Sequence, residues 1–222
     1  MDNETVIYKT KSDLAYAEVR SRILSGALPP GSPLPQRQLA ASLDMSLTPL
    51  REALKRLMTE GLVDLESHRD ARVSTINAQE IRDFMDVRLA LDPFAAQLAA
   101  ERYTEADVVV MEEAFANLLP VTRTQGAAAL SAHRDFHAAI YHATHNPRLI
   151  QLLDETWDQS DRYRRLGLAQ PEGESLRAQD HAEHAELLRL VLAGQSEAAR
   201  HLMEGHVRRS VISLAAESLT GE

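Results

Sequence analysis

The chain has no cysteine, which excludes disulfides, thiolate metal ligands and cysteine nucleophiles. Aromatic residues make up only 5% of it, with a single Trp, so the core must be built from Leu, Ala, Val and Ile, a mix that favours helix over sheet. No apolar run reaches the roughly 18 residues that a membrane helix needs. The start, MDNETVIYKT, lacks a basic segment followed by an apolar one, so no signal peptide is expected and the cytoplasm is the simplest address. Internal repeats and low-complexity tracts are also missing. What remains is an ordinary globular composition over 222 residues, 44% apolar and 26% charged, enough for one or two domains.

A net charge of −9 argues against non-specific coating of nucleic acid. The charge is unevenly spread. Residues 1–76 carry ten basic and ten acidic side chains, whereas residues 77–222 carry the other fourteen and twenty-three. A neutral front and an acidic back suggest two units with different tasks. We divide the chain into a flexible arm (1–11), a small front domain (12–76) and a helical back domain (77–222).

The front reads as three short helices and a hairpin. SDLAYAEVRSRILSGAL has helical apolar spacing, with Ser12 or Asp13 as a cap and Gly26 as a stop. PPGSPLP reads as a loop and QRQLAASLD as a second helix. In the third helix, PLREALKRLMTE, Thr48 is the expected N-cap, Pro49 the first helical residue and Gly61 the stop. GLVDLESHRDARVSTI alternates on either side of a charged turn, as a hairpin does. Three helices and a hairpin in this length fit a winged helix-turn-helix. With Leu50, Leu54 and Leu57 inward, Arg51, Lys55 and also Arg56 point outward, and a helix of this kind fits the major groove. Thr48 can donate to a phosphate, Arg37 can reach the backbone, and the hairpin tip offers His68, Arg69 and Arg72. The bland alternative is a solvated amphipathic helix whose cations pair with Glu52 and Glu60.

The back domain reads as six helices, at about 78–102, 104–119, 125–144, 147–168, 174–194 and 196–219, joined by short connections as an antiparallel bundle. The expected fold class is therefore mainly α: an N-terminal winged helix-turn-helix plus a C-terminal antiparallel six-helix bundle. Eight of the nine histidines fall between residues 133 and 206. His133 and His137 stand one turn apart, a half site for a divalent metal. His184 and His206 can face the core and complete four nitrogens. Isolated helical histidines are more often surface or packing residues, and His142, His145, His181 and His201 are read that way. No Asp or Glu is evidently placed beside the cluster as a base, so a metal-dependent hydrolase is a remote alternative and the chain is not read as an enzyme.

The pieces G-x-L-x-P-G, L-P-x-R-x-L-A, S-x-T-P-L-R-E-A-L-x-R-L, E-G-L-V and R-x-A-x-V, in that order within 14–76, resemble the DNA-binding domain of the GntR family of bacterial regulators. The resemblance implies that Arg37, Thr48 and Arg51 contact operator DNA and that the hairpin is the wing. Two positions depart from the family pattern: Leu47 replaces an Arg, and Asp70 replaces the Gly of R-G-A. Residues 80–215 resemble the FCD effector domain of the FadR subfamily, through D-V-R-L-A-L-D-P-F-A-A, H-R-D-F-H, N-P-R-L, E-H-A-E-L-L and A-x-H-L-M-E-G-H. Six helices suggest the VanR-like branch. That resemblance implies a metal bound by an Asp and three His. His137, His184 and His206 match the histidines and His133 stands at the Asp position, so a four-histidine site for Zn or Ni is expected. It also implies a small organic acid effector, contacted by Arg88, whose other reading is a salt bridge to Asp92. Trp157, Arg162 and Arg165 can line the cavity, with packing the better reading for Trp157. The implied function is a homodimeric, metabolite-responsive transcription regulator, a repressor released by its ligand. The alternative is a constitutive DNA-binding regulator with a purely structural metal.

Overall fold

The computed structural model describes residues 10–65, 71–119, 126–168 and 172–220. The protein is mainly helical, and its residues divide into two compact units, Met1–Ile76 and Asn77–Glu222.

The first unit contains α1 (Lys11–Leu24), β1 (Pro33–Leu34), α2 (Gln36–Ser42), α3 (Leu47–Thr59), β2 (Val63–Leu65) and β3 (Ala71–Val73). Thr10, rather than Ser12 or Asp13, caps α1, accepting from the Asp13 backbone N–H at 3.1 Å. Helix α3 starts two residues earlier than the Thr48-Pro49 signal suggests, because Ser46 takes the extended cap conformation. Pro49 still falls in the first turn, where its missing N–H leaves no bond unmade. The left-handed Gly61 (φ 70°) ends α3 and turns the chain into β2. Asp44, also left-handed at φ 50°, turns the chain between α2 and α3, a conformation that Asp tolerates better than most residues.

The Pro-rich stretch is more than a loop. Pro33 and Leu34 pair antiparallel with Arg72 and Ala71, making the sheet order β1-β3-β2. Proline is tolerated there because β1 is an edge strand. Leu34 is buried with Val19, Ile23, Leu50, Leu54, Leu57, Val63 and Val73 in one apolar core.

The second unit contains α4 (Ala78–Arg102), α5 (Glu105–Ala116), α6 (Gly126–His142), α7 (Pro147–Leu168), α8 (Glu172–Leu192), α9 (Ser196–Arg208) and α10 (Val211–Thr220). The Asn77 side chain caps α4, and Thr104 with Asp107 forms a capping box on α5. The sixth segment of the sequence reading is divided at Arg209 and Ser210 into α9 and α10. Ser210 bonds back to the Val207 carbonyl, and its own carbonyl accepts from both the N–H and the Oγ of Ser213. Pro93 lies inside α4 and removes the hydrogen bond that the Leu89 carbonyl would receive. The core is rich in alanine (Ala95, Ala96, Ala99, Ala143 and Ala199, all 0% exposed), as the scarcity of aromatics requires. No described helix is long and apolar enough to cross a membrane.

Leu54→Ala is expected to destabilise the first unit by about 2–5 kcal/mol, because Leu54 is buried where a cavity would remain. Leu14→Ala, at a 39% exposed position, is expected to change stability by less than about 1 kcal/mol. Urea unfolding midpoints of the two variants check this.

Candidate functional site

Thr48, Arg51 and Lys55 are all exposed and recur at helical spacing, so they share one face of α3. Arg37, at the second position of α2, is exposed too. The Nε of Arg51 donates to Gln36 Oε1 at 3.1 Å, which ties the start of α2 to the first turns of α3. Arg72 is exposed on β3, with Nη1 3.4 Å from the Gly31 carbonyl. His68, Arg69 and Asp70 lie outside the described residues.

Arg56 belongs to a different structure. Its Nη1 bonds Asp13 at 2.8 Å and its guanidinium lies 4.0 Å from the Tyr16 ring centroid. The Tyr16 hydroxyl donates to Glu60 at 2.5 Å, and Glu60 also accepts from Arg20 at 3.2 Å. These contacts join α1 to α3 and withdraw Arg56 from the outward cations. Glu60 is thereby paired with α1 rather than with the α3 cations. Leu47, at the family's Arg position, opens α3 half-buried against the core of the first unit.

The histidine cluster is assembled by α6, α8 and α9. His133, His137, His184 and His206 are 0–3% exposed, and one ring nitrogen from each lies within 4.8 Å of the others. The Nε2 atoms of His137 and His184 face each other at 3.1 Å. Two nitrogens at about 2.0–2.1 Å from one Zn²⁺ would stand about 3.4 Å apart in a tetrahedron, close to this separation. Burial, with His184, His206, Arg164 and Arg88 nearby, drives the His137 pKa well below 6.5 and favours the neutral ring, which has one nitrogen lone pair to offer. His206 Nδ1 donates to Glu183 at 2.8 Å, which leaves Nε2 as the ring atom that could hold a metal. The His206 contact lowers the Glu183 pKa, and Arg209 adds to the effect. The donor set therefore fits a divalent cation with nitrogen preference.

Residues 83–209 match the FCD domain and residues 11–73 match the description "Bacterial regulatory proteins, gntR family". The chain belongs to the GntR family. It is 30% identical over 166 residues to the Glc operon transcriptional activator of Escherichia coli (strain K12), a match covering 66% of this chain and 65% of that relative. It is 29% identical over 202 residues to the HTH-type transcriptional repressor GlaR of the same organism, covering 86% and 90%. Its fold is like that of E. coli McbR/YncC, with a TM-score of 0.76, 24% identity, and coverage of 95% and 100%.

In this GntR-family chain, Arg88 on α4 forms a buried salt bridge with Asp92, one turn on. Burial alone would lower its pKa, but Asp92 outweighs that and holds it above the ordinary arginine value. Arg88 Nη1 and Asp92 Oδ1 are buried without a hydrogen-bond partner among the described residues. Trp157 fills the core beside this pair, with Arg88 at 5.2 Å and Arg164 at 4.4 Å from its ring. Its indole N–H donates to the Tyr141 hydroxyl at 3.2 Å, and that hydroxyl lies 3.4 Å from His137 Nδ1. Arg162 is buried, but the other arginine of α7 that reaches the cluster is Arg164, not the half-buried Arg165. Its Nη1 sits 2.5 Å from His133 Nδ1. The signal for Arg164 is its spacing from Trp157, since Leu153, Trp157, Ser160 and Arg164 form one fully buried stripe.

Two acids also lie beside the cluster, contrary to the sequence reading. They are Glu183, on His206, and Asp180, whose Oδ2 is 4.0 Å from His133 Nε2. Helix α8 brings both, Asp180 from one turn before His184 and Glu183 from the residue next to it. The remaining described histidines take packing and surface places: His145 bonds Asp107 at 2.8 Å, and His181 stacks on Phe115.

Burial and the Glu60 hydrogen bond raise the Tyr16 pKa to about 12, from 10. A raised acid pKa stabilises the fold below the unfolded value, and that stability is lost as pH rises from 10 through 12. Melting of the first unit is therefore expected to fall above pH 10, and Tyr16→Phe to remove that dependence, as followed by circular dichroism.

Proposed function

We propose that this protein is a DNA-binding transcription regulator, working as a homodimer that sets two α3 helices into successive major grooves of a palindromic operator. The observation that carries the reading is the exposed Thr48–Arg51–Lys55 face of α3 on a unit of winged helix-turn-helix topology. Arg51 reads base edges, Thr48 and Arg37 hold phosphate, and Lys55, Arg69 and Arg72 add backbone charge.

The second unit is the sensor. A divalent metal, zinc or nickel, belongs in the histidine cluster, with His133, His137, His184 and His206 as ligands. When bound, it supplies a Lewis-acidic site for a carboxylate oxygen. The effector is a small carboxylic acid, and Arg88 offers it the unused Nη1. Binding acts through a difference in affinity between two arrangements of the bundle, which changes the dimer's fit to its operator. The ligand releases a repressor. The chain is not an enzyme: its buried acids serve as partners of imidazole and guanidinium groups.

A second reading, a constitutive regulator with a purely structural metal, draws support from the Arg88–Asp92 pair, which already balances the charge that an effector would meet. Genomic fragments captured by the dimer at moderate salt, then titrated with hydroxy, keto and dicarboxylic acids, distinguish the two. The sensor reading expects one acid to shift operator affinity at least about 5-fold, and a flat response across the panel overturns it. For the DNA face, Arg51→Ala is expected to weaken operator binding by about 1–3 kcal/mol and to relax one base position. Lys55→Ala should weaken all sequences alike and make binding less salt-dependent. An Arg51→Ala variant with unchanged sequence preference in a selection experiment sinks the assignment.

A further inference from the structure

Gln36 opens α2 and Arg51 lies in the second turn of α3, and their side chains meet. A guanidinium has only donors, so the Gln36 amide atom that faces Arg51 Nε at 3.1 Å is its oxygen. Gln36 offers that oxygen from an anchored place. It stands between Leu34 and Leu39, both buried in the core of the first unit, and Leu34 is also paired in the sheet. The Leu39 N–H closes the first turn of α2 on the Pro35 carbonyl at 3.0 Å. Gln36 is itself half-buried, whereas Arg51 is exposed. Among the described residues no acidic side chain pairs with Arg51, so the Gln36 oxygen is what holds it. A long side chain held at Nε keeps fewer rotamers and presents its end in fewer directions.

The edge of Arg51 that remains decides which base it can read. A guanidinium makes paired bonds through its Nε–Nη edge or through its Nη1–Nη2 edge. With Nε given to Gln36, the Nη1–Nη2 edge is left, and it carries two donors side by side. In the major groove guanine offers two adjacent acceptors, N7 and O6. Adenine sets a donor beside its N7, cytosine shows a donor, and thymine shows one acceptor beside a methyl group.

We propose that Gln36 is a positioning residue that sets base choice: by occupying Arg51 Nε it commits the Nη1–Nη2 edge to a guanine of the operator half-site. This rests on the base-reading role given to Arg51 above, and it names the base and the residue behind that choice. The test uses the full chain, with folding of each variant checked first by circular dichroism. Operators are selected from a randomised duplex pool, and affinities for the selected site and its single-base variants are measured at fixed salt. The parent is expected to prefer guanine by at least about 10-fold at the position that Arg51→Ala relaxes. Gln36→Leu, which has no acceptor, should lower that preference below about 3-fold, and Gln36→Glu, which keeps one, should retain it. Combined with Arg51→Ala, Gln36→Leu should relax nothing further. If Gln36→Leu does not fold, Gln36→Ala makes the same comparison. Gln36→Leu with the full guanine preference, or Gln36→Glu without it, overturns the assignment. So does Gln36→Leu that relaxes a further base in the Arg51→Ala background, since Gln36 would then touch DNA itself. An Arg51-dependent position that prefers another base overturns it too, while the reading role of Arg51 stands. Arg51→Ala that leaves every base preference intact overturns that role, and this proposal with it.

Discussion

Four imidazoles and three guanidinium groups are buried inside a bundle of otherwise apolar helices, and everything around them answers to the cost of stripping water from so much polarity. Each of five helices contributes. Arg88 comes from α4, the His133–His137 pair from α6, Trp157 and Arg164 from α7, the acids with His184 from α8, and His206 from α9. The response is visible in the protonation equilibria. Burial and the neighbouring Arg88 pull Arg164 down to about 9, while His137 is driven far below its usual value. Aromatic faces take up part of the remaining charge, since Trp157 lies against two of the guanidinium groups. A polar interior of this kind is weak evidence of stability and better evidence of a function retained at some cost to it.

Much of the architecture was legible because it is local. The helices of the second unit follow from apolar spacing and from breaks at Pro and Gly, and the outward face of α3 follows from its leucines. The inward placing of His184 and His206 was legible for the same reason, each lying one turn from apolar residues, and His133 and His137 were paired by their spacing of one turn. What escaped was set by partners distant in sequence. β1 is two residues of a Pro-rich stretch that become a strand only by pairing with residues almost forty positions later. Arg56 looks like any outward cation until Asp13 and Tyr16 of α1 are seen beside it. The break between α9 and α10 carries neither Pro nor Gly. Arg164 was hidden in a run of three arginines within four residues, where periodicity alone does not say which one turns inward.

The acids show a different limit. Sequence spacing placed four histidines together but gave no reason to bring Asp180 or Glu183 to them, since acidic residues are common on the exposed faces of helices. Only the packing of α8 against its neighbours decides that these two face inward. Carboxylates that hold a histidine's second nitrogen fix its tautomer and its ring orientation. Glu183 does so for His206, and through Arg209 it also fastens α8 to the end of α9, just before the chain turns into α10.

The ties between α1 and α3 have a mechanical consequence. Asp13, Tyr16 and Arg20 on one helix grip Arg56 and Glu60 on the other through two ion pairs, a ring stack and a hydroxyl hydrogen bond, all beside a shared apolar core. Helix α3 is thereby fastened to α1. Moving α3 against α1 would break these contacts together, so the two helices are expected to shift as one piece with the three-stranded sheet packed on the same core.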